Sequence, residues 1–192
     1  MNPILLDVPE ESETERLTIC IPRLGDGAVL QAAYVEAGEH VHRWVAFVNP
    51  NLTVEEVEET TRKRLAKFVT RERFGFHLYL KGTQTLVGEI ALHDPDWEVP
   101  KFELGYYVRP CFEGQGYCSE AVEWITRLAF EGLGARRVEI LIDPRNERSM
   151  RVAERAGYTL EGTLCNHRRG SDGKLADSRI YAKTCPDSEI ES

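Results

Sequence analysis

The chain has 192 residues and a formal net charge of −8, a length that fits one domain. Hydrophobic residues make up 42% and aromatics 9%, enough to build a core, so wholesale disorder is excluded. The acidic balance argues against a direct nucleic-acid partner, which needs a basic footprint, and against docking on an anionic membrane.

The opening MNPILLDVPEESETE has no basic start and no long apolar run, so it does not read as a signal peptide. No stretch approaches the ~18 apolar residues of a membrane span. A cytoplasmic protein is the expectation. Residues 1–15, acidic from Asp7 onward, are expected to form a loose arm, 16–185 the folded domain and 186–192 a frayed polar tail. The five cysteines are odd in number and have no zinc-like spacing, which points to free thiols and no metal.

In chain order, Leu17 to Ile21 predicts a strand closed by Pro22 and Gly25-Asp26-Gly27. Ala28 to His42 predicts a helix. Thr53 to Lys67 predicts another, opened by a capping box of Thr53 and Glu56 and striped by Val54, Val57, Thr61, Leu65 and Phe68. Phe76–Leu80, Leu86–Leu92 and Phe102–Val108 predict three consecutive strands, an antiparallel meander. Glu120 to Gly132 reads as helix, Val138 to Ile142 as strand and Asn146 to Ala156 as a short helix ended by Gly157. Tyr158–Cys165 and Ser178–Lys183 close the domain as strands. The order predicts one α/β (α+β) domain with a mixed sheet.

The most informative segment runs from Gly105 through Gly114-Gln115-Gly116 into Ser119-Glu120-Ala121. Glycine lets the backbone adopt φ above zero and approach a ligand closely. The first N–H groups of the following helix have no internal partners and sit at its positive end, so the turn is an anion site suited to a pyrophosphate. It is neither a Walker A loop nor a dinucleotide fingerprint, since the lysine and third glycine are missing.

With Asp143–Tyr158, Leu160–His167 and Asp177–Tyr181 following in order, the chain resembles the GNAT acyl-CoA-dependent N-acetyltransferases, and within them the RimJ/RimL ribosomal-protein branch. The resemblance covers roughly Arg16 to Lys183. It implies a mostly antiparallel sheet, flanked by helices, in which the strand over 102–108 splays from the strand over 138–142. Acetyl-CoA, as cosubstrate, then lies in that gap on the backbone around Tyr106 and Val108. Its pyrophosphate lies on Gly114, Gln115, Gly116, Tyr117, Cys118 and Ser119, with Asn146 and Ser149 as further contacts. The family's loop pattern, Gln/Arg-x-x-Gly-x-Gly/Ala, is broken at Glu113 and Cys118. Glu113 is tolerable beside a dianion if its side chain points to solvent.

Acetyl transfer to an amine needs a neutral amine and a stabilised departing thiolate. An alkyl ammonium titrates near about 10.4 and an α-amine near about 8, so the latter needs less help. Glu103 shares a strand face with Gly105 and Tyr107 and is the base candidate; some relatives hold a glutamate at the matching position. Glu89, His77 and His93 are weaker alternatives. The tyrosine that many members use as thiolate partner is replaced here by Ala153. In the RimL-like branch Ser149 is the expected partner. Asn146 and Ser149 also fit ordinary helix capping. Six arginines between Arg136 and Arg155 crowd this part of the chain, as phosphate partners or as a solvated helix face with Glu147 and Glu154. Trp44, Trp97 and Trp124 read as packing residues, although the resemblance puts Trp44 at a substrate-side helix-to-loop junction.

The branch implies the α-amine of a protein N-terminus as acceptor. Asn166, His167 and Asp177 match it, while Cys165 stands where an arginine is usual. A small-molecule amine acetyltransferase and a non-catalytic acyl-CoA-binding module stay open as rivals, as does a homodimer.

Overall fold

A computed structural model gives the fold and describes residues 2–170 and 173–185. An eight-stranded sheet comprises β1 (Glu11–Glu13), β2 (Leu17–Cys20), β3 (Phe74–Leu80), β4 (Leu86–Asp96), β5 (Lys101–Val108), β6 (Arg137–Ile142), β7 (Thr159–Arg169) and β8 (Leu175–Thr184). Their order is β1-β2-β3-β4-β5-β6-β8-β7. Every neighbouring pair is antiparallel except β5 and β6. The helices are α1 (Gly27–His42), α2 (Val54–Val69), α3 (Tyr117–Arg127) and α4 (Glu147–Arg155).

The period of two on the central strands sorts side chains onto two faces. Phe76, Ile90 and Leu104 join Ala121, Val122 and Ile125 of α3 and Met150 of α4 in the larger core. Glu89 and Tyr107 face the opposite way, where Tyr107 packs with Leu30, Tyr34 and Val41 of α1. The capping box at the start of α2 forms as the sequence predicts. Of its apolar stripe Val57, Thr61 and Phe68 are buried, Leu65 packs against the core, and Val54 is exposed.

Three expectations need correction. The acidic arm is not loose where the structure describes it: Glu11–Glu13 pairs with β2 as an edge strand, and Val8 is buried. The helix expected from Glu120 begins at Tyr117, and its C-terminal part, Leu128–Gly132, is a π-helical turn. Gly38, at φ 51°, breaks α1 before its last turn. The tail over 186–192 lies outside the described residues. Among the described residues no helix is long and apolar enough to cross a membrane.

The strand over 102–108 does splay from the strand over 138–142. Parallel pairing of β5 with β6 covers only Lys101, Phe102 and Glu103. Beyond Glu103 β6 keeps its other neighbour, β8, while β5 keeps β4. The β4–β5 pair approaches closely at Gly88, where a Cβ would stand 2.1 Å from the Tyr107 carbonyl oxygen and 2.8 Å from Val108 Cα. We expect Gly88→Ala to cost at least about 2 kcal/mol and to lower Tm by about 4–8 °C. Gly75→Ala, whose Cβ meets nothing closer than 3.5 Å, should stay within about 2 °C of wild type. Equal shifts in thermal melts of the two variants would contradict this reading of the β4–β5 contact.

Candidate active site

Where β5 and β6 part, an open cleft of about 600 Å³ is lined by β5, the loop after it, the end of α1 and the cleft face of α4. That volume suits a cofactor-sized molecule. Tyr106, Val108, Gly114, Cys118, Asn146 and Ser149, all expected as cofactor contacts, line it. Trp44, expected as packing, lines it too, with the Arg145 guanidinium 5.8 Å from its ring centroid.

The loop has the conformation that its glycines permit. Gly114 has φ 74°, and Gly116, at φ 87°, is the left-handed N-cap of α3. No side chain caps this turn, so its first N–H groups are left for a ligand. Gln115 donates back to the Cys111 carbonyl at 2.9 Å, Tyr117 packs edge-on to Phe112, and Ser119 lies on a separate crevice with Gly116 and Glu120. None of the side chains of these three lines the cleft, so any contribution from them is through the backbone. Arg16, which sequence reasoning passed over, braces the loop. It donates to the Gln115 carbonyl at 2.8 Å and to Glu120 at 2.7 Å, and lies 4.6 Å over the Tyr117 ring. Nothing local in the sequence marks it, because its partners lie about a hundred positions away.

Glu113 does not point to solvent. Its carboxylate lines the cleft, pairs with Arg148 of α4 and accepts from His40 Nε2 at 3.1 Å. Arg148, Arg151 and Arg155 put positive charge along the same wall. The other arginines of the run are structural where their partners are seen. Arg137 pairs with Glu139 and Glu161, and Arg145 with Asp143, whose carboxyl it holds below its usual range. Glycine backbone, uncapped helix end and arginine wall together fit a phosphate-bearing cofactor.

Deeper in, Tyr106 from β5 and Ser149 from α4 meet across the gap, hydroxyl to hydroxyl, at 3.0 Å. Burial raises the Tyr106 pKa far above the ordinary phenol range, so it stays protonated. Asn146 is the N-cap of α4, accepting from the Ser149 N–H at 3.2 Å. Ala153 is fully buried, and Val152 takes its place on the cleft wall. A phenol hydroxyl does reach α4 from the opposite strand, that of Tyr106. Burial also pushes the Cys118 thiol up to about 12, leaving it uncharged at neutral pH.

The α1/α2 face of β5 carries the base candidates. Glu103 is absent from the lining of the cleft and stands four residues, about 13 Å, along the strand from Tyr107. Its neighbour is His93, with Nε2 3.9 Å from the Glu103 carboxylate and Nδ1 2.8 Å from Asp94. His93 stays in register opposite Glu103; a bulge follows it on β4, and Asp94 takes a left-handed φ of 48° within it. The His93 Nε2 lies 3.1 Å from where a Gly105 Cβ would be. Burial raises the Glu103 pKa, partly offset by His93. These three side chains are the one group among the described residues with metal-ligand spacing, within 4.8 Å. Glu89 is committed elsewhere, accepting from Tyr34 at 2.8 Å and Arg64 at 2.7 Å, with His77 Nε2 at 3.6 Å. Asn166 and Asp177 hold the β7–β8 hairpin together through a 2.8 Å bond.

Because Glu113 competes for Arg148, Glu113→Gln should tighten coenzyme A binding about threefold at low salt, with the gain shrinking as salt rises. Gly116→Val should weaken it more than about tenfold, since its φ is strained for any side chain. Isothermal titration checks both; unaltered affinity in Gly116→Val would show the loop to be misread.

Residues 16–159 match the family model described as an acetyltransferase (GNAT) domain. The chain is 29% identical over 152 residues to YdaF of Bacillus subtilis, provisionally named a ribosomal N-acetyltransferase, covering 77% of this chain and 80% of YdaF. Its fold matches the ribosomal-protein-S5-alanine acetyltransferase of Vibrio fischeri with TM-score 0.81 at 19% identity, over 94% of this chain and 98% of that one. It also matches RimL, a ribosomal L7/L12 α-N-protein acetyltransferase solved with coenzyme A. That match has TM-score 0.81 at 18% identity, over 89% of this chain and 95% of RimL. With a cleft opened by the splay of β5 from β6 and a glycine loop at its mouth, this chain belongs to the GNAT family of acetyl-CoA-dependent N-acetyltransferases.

Proposed function

We propose that the acceptor is the α-amine of a protein N-terminus, acetylated by direct attack within a ternary complex. The observation that carries the reading is the placement of two polar pairs on opposite faces of β5. Tyr106 and Ser149 meet on the α4 face, and Glu103 and His93 on the α1/α2 face. Acetyl-CoA supplies the thioester when bound. Its phosphates would be held by the backbone from Gly114 to Ser119 and by the α4 arginines. Glu103, with His93 beside it, takes the amine proton directly or through a water. The Ser149 and Tyr106 hydroxyls donate hydrogen bonds toward the departing sulfur, which a protonated phenol and a serine can do without first losing a proton.

An α-amine, titrating near about 8, is largely unprotonated at slightly alkaline pH. A half-exposed carboxylate is base enough for it, whereas an alkyl ammonium near about 10.4 asks more. The names of YdaF, RimL and the S5-alanine enzyme support the same acceptor class. Thiol release on a panel of N-terminal peptides and polyamines tests it. Peptide turnover supports the reading, polyamine turnover alone favours a small-amine enzyme, and coenzyme A binding without turnover favours a binding module.

Glu103→Gln should lower kcat/KM at least about tenfold, with acetyl-CoA affinity within about twofold. Glu103 must be ionised to act. Since burial raises its pKa, activity should fall as pH drops through a value above the ordinary carboxylate range, and the variant should lose that acid limb. An unchanged pH–rate profile would remove Glu103 from the mechanism. Ser149→Ala and Tyr106→Phe should each lower kcat, and the double variant should lose less than the product of the two effects, because they share one hydrogen bond.

A further inference from the structure

On the α1/α2 face three small residues lie side by side across three strands: Gly75 pairs with Ala91, and Ala91 with Gly105. They floor a small hollow of about 10 Å³, the size of one water, walled by Arg64, Arg73, Glu89 and Phe47. Two side chains lie over its ends. His93 Nε2 stands 3.1 Å from the Cβ position of Gly105, and Arg73 Nε 3.5 Å from that of Gly75.

The two arginines differ in one respect. Arg64 is neutralised by Glu89 at 2.7 Å. Arg73 has a buried Nε without a hydrogen-bond partner, and among the described residues its guanidinium makes no ion pair. A desolvated cation left unpaired is costly. Burial and the neighbouring Arg64 charge lower its pKa, with Glu89 and Asp94 only partly compensating. Arg64 and Arg73 thus stand here with Glu89 between them, Glu89 taken up by Arg64, and with Asp94 as a further negative neighbour that forms no ion pair with Arg73.

The geometry points to Arg73 as an anchor for a carboxylate on the acceptor: a peptide whose second or third residue is acidic. This rests on the protein N-terminus reading above. Two strand spacings, about 10 Å, separate Glu103 on β5, the proposed base, from Arg73 next to the start of β3. An extended chain advances about 3.3 Å per residue, so an acidic side chain two or three residues from the α-amine reaches the guanidinium. The α-carboxylate of a free amino acid is too near its own amine to do so, and a polyamine has no anion to offer. Arginine also suits the task by its planar fork, which takes a carboxylate with two parallel hydrogen bonds.

The test compares peptides that differ only by Glu or Gln at the second or third position. Their kcat/KM is measured with wild type, Arg73→Gln and Arg73→Lys. Equilibrium binding of the same peptides, fluorescently labelled, to the coenzyme A-loaded protein runs in parallel. Wild type should favour the Glu peptide at least about tenfold at one of the two positions. Arg73→Gln should bring the ratio to within about twofold, and Arg73→Lys, which keeps the charge but not the fork, should retain part of it. A wild type without the preference overturns the inference, as does a preference that survives in folded Arg73→Gln. Should no peptide be acetylated while the Glu peptide still binds in an Arg73-dependent way, the anion subsite stands and the reading of the protein N-terminus as substrate falls. If no peptide binds in preference to another, the subsite falls whatever the turnover.

Discussion

The parallel contact between β5 and β6 holds for three residues and then ends, and the rest of the site depends on that break. A continuous pairing would satisfy the backbone of both strands and leave no room for a ligand. Because it stops at Glu103, the β5 edge from Leu104 to Val108 is free on that side, and the hydroxyls of Tyr106 and Ser149 meet across the opening. β6 is held away by six residue pairs with β8, and β5 by its pairing with β4. The cleft is thus a property of sheet topology, kept open by ladders on its outer sides.

Charge is distributed to match. A net −8 sits beside a cleft wall carrying Arg148, Arg151 and Arg155. Glu113 occupies part of that positive field, bridging the glycine loop to α4 through Arg148 and to α1 through His40. Glu113, which departs from the loop pattern, thus ties the glycine loop to both walls of the cleft.

What was legible in the sequence was whatever rests on local pattern. Thr53 and Glu56 form a capping box because both partners lie within one turn. Gly114 and Gly116 take positive φ because the turn requires it. Asn146 caps α4, and the antiparallel meander follows from short alternating runs with turns between them. The resemblance of ordered motifs then supplied the splay. What stayed hidden rests on contacts between distant positions: Arg16 bracing the loop, Tyr106 reaching Ser149, and Glu113 turning inward to meet two basic partners. The bulge after His93 adds one residue to β4 without leaving a compositional mark. Arg73 carries no local mark, because only the fold brings its Nε over Gly75, 3.5 Å from where a Cβ would stand. The acidic start of the chain looked loose because edge strands are short and polar.

The most direct measurement is a crystal structure with coenzyme A bound. The account predicts the pantetheine between β5 and β6, the pyrophosphate on the backbone from Gly114 to Ser119, and the sulfur in hydrogen-bond contact with Ser149 Oγ or the Tyr106 hydroxyl. A cofactor seated elsewhere, for example in the crevice beside Arg16 and Glu120, or a sulfur facing away from both hydroxyls, would contradict it.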